Sequence, residues 1–151
     1  MAYWLFKTEP DTFSIDSLRV NQTSCWEGVR NYQARNMMRD KVKLGDLVLI
    51  YHSSCKTIGI AGVATVIKEA YPDHFALDPA SEYYDPKSDP NSPSWVMVDI
   101  EFREKFSRII PLSKLKSVAE LADMPLVKRG NRLSVMPVRE SEWQAIMALK
   151  K

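Results

Sequence analysis

The sequence predicts an α+β fold, a small curved or closed antiparallel sheet decorated by short helices. Three observations lead there. Residues 95–103 alternate, with Val96, Val98, Ile100 and Phe102 on one side and Asp99, Glu101 and Arg103 on the other; one wet face is the mark of an antiparallel strand. Residues 47–51 and 58–67 are apolar runs, which read as buried strands. Helical patterns fall between the strands without regular strand–helix–strand alternation, which separates this chain from doubly wound folds.

Residues 2–8 alternate weakly and are rich in aromatics, so a first strand is expected there. Thr12-Phe13-Ser14 then opens a short helix, with Ser14 as N-cap and Phe13 packing on Leu18. Residues 31–40 predict a second helix. Tyr32, Arg35, Asn36 and Arg39 share one face; Ala34, Met37 and Met38 share another. Gly45-Asp46 closes the next turn. Gly59 and Gly62 interrupt the 58–67 strand and predict a bulge or a close backbone approach. Residues 78–94 carry four prolines among Asp and Ser, an irregular excursion long enough to be a functional loop or a tolerated insertion. Pro111 starts a helical turn, and Ser117-Val118-Ala119-Glu120 reads as a capping box. Residues 133–138 suit a last strand. Residues 140–150 suit a closing helix with Trp143, Ile146 and Met147 inward.

At 151 residues, 45% of them hydrophobic, the chain suits one domain (1–151) with a real core. No apolar run approaches the roughly 20 residues of a membrane span, and Pro10-Asp11 arrives too early for a signal peptide. A cytoplasmic location, or a nuclear one where the source has a nucleus, is expected. Cys25 and Cys55 show no metal or disulfide spacing, and His52 and His74 add no cluster. No metal and no cofactor are expected. Phosphate-loop, dinucleotide, zinc-protease and nucleophile-elbow motifs are all missing. The net charge of +2 is small for a protein that binds DNA mainly by neutralising its backbone. It fits a single-base pocket with modest backbone contacts better than a groove binder.

The densest polar and aromatic stretch is 24–43. Between Arg30 and Lys43, five cations (Arg30, Arg35, Arg39, Lys41, Lys43) face one carboxylate, Asp40, for a local charge of +4. Such cations beside Trp26 and Tyr32 suit a base-and-phosphate site, since rings stack bases and cations meet phosphate. A helix N-terminus near Asn31 adds N–H donors. The same residues equally suit a solvated basic helix face, with Trp26 in the core and Asn31 as N-cap. Lys7-Thr8-Glu9 holds groups an amide hydrolase needs, but consecutive strand residues point to opposite faces, so convergence requires the strand to break. Tyr51-His52-Ser53 ends a buried strand with hydrogen-bonding groups, and a lone His there is more often structural than catalytic. Arg132 and Ser134 follow the Gly130-Asn131 turn and can approach a ligand.

Taken together, several phrases resemble the EVE domain family, in the subgroup that includes thymocyte nuclear proteins. They are Tyr3-Trp4-Leu5-Phe6-Lys7-Thr8-Glu9-Pro10, Trp26-Glu27-Gly28-Val29-Arg30-Asn31-Tyr32-Gln33-Ala34-Arg35-Asn36, Tyr51-His52-Ser53, Ala70-Tyr71-Pro72-Asp73, Tyr83-Tyr84-Asp85-Pro86-Lys87-Ser88 and Arg132-Leu133-Ser134-Val135-Met136-Pro137-Val138. Their order spans nearly the whole chain. Without the long basic N-terminal tail of nuclear members, it resembles the compact bacterial form.

The resemblance implies a PUA-like antiparallel or mixed β-barrel, related to YTH and ASCH domains. It implies a non-enzymatic module that holds a flipped, modified base of DNA or RNA, such as methylated or hydroxymethylated cytosine. The implied base pocket comprises Lys7, Trp26, Asn31, Tyr32, Ser53 and Ser134. Arg30, Arg35, Arg39, His52 and Arg132 are the implied rim and phosphate contacts. Trp4 suits either the pocket or the barrel interior. The implied partner is nucleic acid, with room for a restriction or RNA-processing partner and none for a membrane. An ASCH-like amidohydrolase of modified pyrimidine nucleosides is the alternative.

Overall fold

The structure is a computed structural model and describes residues 1–150. Six strands form one mixed sheet: β1 (Tyr3–Thr8), β2 (Thr23–Cys25), β3 (Leu47–His52), β4 (Gly59–Pro72), β5 (Val96–Pro111) and β6 (Val135–Val138). Their order across the sheet is β2-β5-β4-β3-β1-β6. β1 and β3 run parallel and every other pairing is antiparallel. A parallel pair needs a long crossover, and here it holds α1 (Ile15–Asn21), β2 and α2 (Tyr32–Asp40). Among the described residues β2 and β6 do not pair, so the sheet is curled but its ladder is not closed into a barrel.

Alternation along the central strands sorts side chains into two cores. Trp4, Phe6, Val48 and Ile50 pack on one face with Leu18, Trp26 and Met38. Leu5, Leu49 and Tyr51 pack on the other with Leu115, Trp143 and Ile146. Helices α1 and α2 cover the first face; α3 (Leu112–Lys116) and α4 (Glu140–Leu149) cover the second. A sheet buried on both faces explains why β3 reads as a continuous apolar run. It also assigns Trp4, which is 4% exposed, to the interior. Its Nε1 donates to Asp46 Oδ2 at 2.9 Å, and the buried Asp46 carboxylate also accepts from the Ala2 and Lys43 amides.

The glycine expectation has a clear cause. A side chain at Gly59 would strike the Ile110 carbonyl, and one at Gly62 the Glu104 carbonyl. The register between β4 and β5 shifts at Ile60/Gly62 and at three further points, so this long hairpin bends. Ser14 caps α1 as expected, accepting from the Ser17 amide at 3.1 Å. The capping box at Ser117 does not form. Ser117 ends α3, and its hydroxyl donates back to the Lys114 carbonyl at 2.7 Å, leaving the following turn (Ala119–Leu121) without a side-chain cap. Among the described residues no helix is long and apolar enough to cross a membrane.

Candidate functional site

A cavity of about 460 Å³ opens where the parallel pair β1–β3 ends. That is within the range of small-molecule sites. Three chain segments meet there through backbone bonds. The Thr8 carbonyl accepts from the Ser53 amide at 2.9 Å and from its hydroxyl at 3.4 Å. The Lys7 amide donates to the Ser134 carbonyl at 2.9 Å. Lys7 and Thr8, Ser53, and Ser134 therefore share one mouth, with Arg132 exposed beside them.

Trp26 gives the cavity an aromatic wall. It is 7% exposed, tilted against Phe6 at 5.4 Å and edge-on to Phe13 at 6.0 Å. The loop after β2 continues the lining with Glu27 and Gly28, and the 78–94 excursion adds Glu82 and Tyr83. Successive Asx turns order that excursion: Asp78, Asp85 and Asp89 each accept the backbone amide two residues on. Its inner end is tied down by Trp95 Nε1, which donates to Asp85 at 2.7 Å.

Residues with donor and acceptor groups line the cavity. Lys7 is half-buried and burial lowers its pKa; among the described residues no carboxylate pairs with it, and its Nζ lies 5.8 Å from the Tyr51 ring centre. The Glu27 carboxylate accepts from the Cys25 thiol at 3.3 Å. Burial first, then Glu27, pushes that thiol up to about 12, so it stays protonated at neutral pH and is a poor nucleophile. The lining residues Lys7, Ser53, Ser134 and Glu27 carry the kinds of donor and acceptor that pair with the mixed edge of a base.

Of the expected site residues, the fold brings Lys7, Trp26, Ser53, Ser134 and Arg132 to this cavity. The others lie elsewhere for identifiable reasons. Asn31 caps α2, its Oδ1 accepting from the Ala34 amide at 3.0 Å. Tyr32 projects from the first turn of α2, 59% exposed, and stacks on Trp95 at 4.7 Å. Arg30 reaches behind the wall to the buried Asp73 at 2.9 Å and to the Tyr83 carbonyl. Arg35 donates to the Ser94 carbonyl, and Arg39 pairs with Asp40 on the exposed face. His52 is 6% exposed and its Nε2 accepts from the Ile15 amide at 3.1 Å, so it belongs to the α1 junction rather than the rim.

Sequence reasoning missed Phe13, Glu27, Gly28 and Tyr83. Lys7, Thr8 and Glu9 all line the cavity, which the alternation of an unbroken strand does not allow. The strand breaks after Thr8 because the Glu9 carbonyl accepts from both Thr12 and Phe13 amides, turning the chain. Pro10-Asp11 was the available signal for that turn. The Trp26-Glu27-Gly28 phrase pointed to the loop without saying which side chains face inward.

A family model for the EVE domain matches residues 2–149. The chain belongs to the EVE domain family. Human thymocyte nuclear protein 1 is 41% identical over 99% of this chain and 74% of its own length. A solved protein from Pseudomonas syringae is 49% identical, covering 98% of this chain and 99% of that one, with a TM-score of 0.96. The human protein has been solved in complex with 5-methylcytosine-containing DNA; that structure is 41% identical, covers 99% of this chain and 97% of that one, and has a TM-score of 0.94. These neighbours make the fold of this EVE domain PUA-like. An ASCH protein from Zymomonas mobilis shares the fold alone, at 13% identity and a TM-score of 0.59.

Proposed function

We propose that this EVE domain is a binding module for modified bases in nucleic acid, with 5-methylcytosine in DNA as its first candidate ligand. The observation that carries this reading is the cavity, whose lining combines the Trp26 ring with the Glu27 carboxylate and with Lys7, which no carboxylate pairs among the described residues. The DNA complex of the human relative supports it. A carboxylate accepts from the cytosine amino group; an ammonium donates to its ring nitrogen or carbonyl.

Magnitudes set what the pocket must do. Extracting a base costs a few kcal/mol, and stacking on an aromatic wall returns roughly 1–3 kcal/mol. Burying one methyl group contributes about 0.8 kcal/mol, roughly fourfold in affinity. A larger preference for the modified base requires the wall to fit the methylated ring and to leave polar groups unmatched around other bases. A bound reader acts through an effector, and a restriction or RNA-processing partner fits that role.

The test is binding of single-stranded and duplex oligonucleotides carrying cytosine, 5-methylcytosine or 5-hydroxymethylcytosine, at two salt concentrations. Trp26→Ala is a poor probe, because emptying a core aromatic site costs roughly 3–5 kcal/mol. Lys7→Met and Trp26→Phe keep the packing. The expected result is a preference for a modified strand in the wild type, a loss of affinity for modified and plain strands alike in Lys7→Met, and a reduced preference in Trp26→Phe. Equal binding to all strands would sink the cytosine reading.

One observation favours a second reading, an amidohydrolase of modified pyrimidines: Lys7, Thr8 and Glu9 share the cavity. Against it, the Thr8 hydroxyl is committed to the Phe13 carbonyl at 2.8 Å.

A further inference from the structure

Tyr32 presents a large ring to solvent while one side of it rests on another ring. It stacks on Trp95 with centroids 4.7 Å apart and planes 26° apart, and it is 59% exposed. Trp95 is itself 5% exposed and anchored to Asp85. The Arg35 guanidinium lies 5.0 Å from the Tyr32 centroid and 6.0 Å from that of Trp95. A guanidinium on the far face of Tyr32 would stand from Trp95 at nearly the sum of the stacking and cation–ring distances. At 6.0 Å it instead flanks the pair, leaving the outer face of Tyr32 open.

This ring is connected to the cavity. Tyr83 lines the cavity, Arg30 lies 5.8 Å from its centroid and 5.5 Å from Trp95, and Trp95 carries Tyr32. A strand rising about 3.4 Å per nucleotide covers such a path within a few nucleotides. We propose that the open face of Tyr32 is a stacking platform for an unpaired nucleotide of the same strand, close to the base held in the cavity. The inference rests on the base-binding reading above. Flat rings beside cations hold single strands with little regard to sequence, the ring meeting the base and the cation the phosphate. Arg35 is positioned for the second task by its bond to the Ser94 carbonyl. Lys41 and Lys43 follow on the same segment. A duplex offers no free base face at this position, so the platform favours single strands, overhangs and distorted pairs.

The experiment uses single strands with one 5-methylcytosine and a 2-aminopurine placed one to three positions to either side. Binding of the nucleoside 5-methyl-2′-deoxycytidine is measured in parallel. Wild type should quench the 2-aminopurine at one position. Tyr32→Phe should keep both quenching and affinity. Tyr32→Ala should weaken strand binding about tenfold, the order of one lost base–ring stack, and abolish the quenching. Nucleoside affinity should be unchanged in both. Tyr32→Leu, which still covers Trp95 but has no flat ring, should match Tyr32→Ala and guards against a folding artefact. Strand binding indifferent to Tyr32, with the nucleoside still bound, overturns the platform alone. Equal loss of nucleoside binding in Tyr32→Ala also overturns it, because Tyr32 would then act through the cavity. A wild type that binds neither strand nor nucleoside overturns the base-binding reading and the platform with it.

Discussion

Arg30 Nη1 lies 2.9 Å from Asp73 Oδ2, and the Asp73 side chain is wholly buried. The same Oδ2 accepts from the Gly28 amide at 3.0 Å, while Oδ1 accepts from the Phe75 amide at 3.0 Å. One carboxylate thus fastens the loop that carries Trp26 and Glu27 to the start of the excursion that carries Tyr83. The cavity exists because these two segments are held together. Asp73→Ala leaves a partly buried guanidinium and two amides without their acceptor, and breaking such a pair costs roughly 3 kcal/mol or more. Chemical denaturation should show a loss of that order, and the tryptophan emission, to which Trp26 and Trp95 beside this junction contribute, should shift toward that of solvent-exposed indole. A loss below roughly 1 kcal/mol would mean that the loops are held by other contacts.

Gly28 sits at φ +85°, and a β-carbon there would lie 2.5 Å from the Tyr83 ring. Two penalties therefore act on Gly28→Ala. The backbone conformation costs an L-residue roughly 1–2 kcal/mol, and the ring must move away from the cavity wall. The expected result is a stability loss of about that size together with weakened nucleoside binding. Retained affinity at full stability would show that Tyr83 does not form the wall in solution.

His52 supplies a pH dependence with a definite sign. Burial is the main cause of its lowered pKa; Asp16 opposes the shift and Lys105 adds to it. Its Nε2 must be unprotonated to accept from the Ile15 amide. Below the unfolded value of 6.5 the unfolded chain binds a proton that the folded chain resists. The unfolded state then holds more protons, so stability rises with pH. The contribution is fully present above 6.5 and is lost as pH falls from 6.5 toward the depressed folded value. Unfolding free energy measured between pH 7.5 and 5 should fall on acidification, and less so in His52→Gln. An unchanged slope in that variant would place the pH dependence elsewhere.

How much of this was legible depended on whether one local rule governed a residue. The β5 alternation, the Ser14 cap and the Gly59 and Gly62 close approaches each follow from a single local constraint, and each formed. Asn31 was readable both as a cap and as a pocket residue, and its side chain makes the cap bond. Tyr32 and Arg35 share a helix face, as their spacing predicts, but the register of α2 turns that face toward Trp95 rather than into the cavity. The parallel pairing of β1 with β3 is a long-range choice that no local pattern announces. Asp46 reads as a turn residue, and nothing local marks Asp73 as buried, because their partners, Trp4 and Arg30, are more than forty residues away in the chain. Tyr83 faces the cavity only because Asp73 and Asp85 fold the excursion back.

The hydrolase alternative makes a sharp prediction at Thr8. A hydroxyl nucleophile needs a neighbouring base to take its proton. The Thr8 hydroxyl instead donates to the Phe13 carbonyl at 2.8 Å, a group that cannot accept a proton outright. The lowered pKa of Lys7 runs in the direction a base requires, but that shift comes from burial alone. Lys7 serves equally as a donor to a bound base. N4-acetylcytidine incubated with the protein should therefore release acetate no faster than in buffer, across pH 6 to 9. Thr8→Val should cost about 1 kcal/mol of stability for the lost hydrogen bond. It should leave this background rate untouched. Saturable acetate release that Thr8→Val abolishes and Thr8→Ser preserves would make the cavity an active site, and base binding would then be its substrate step.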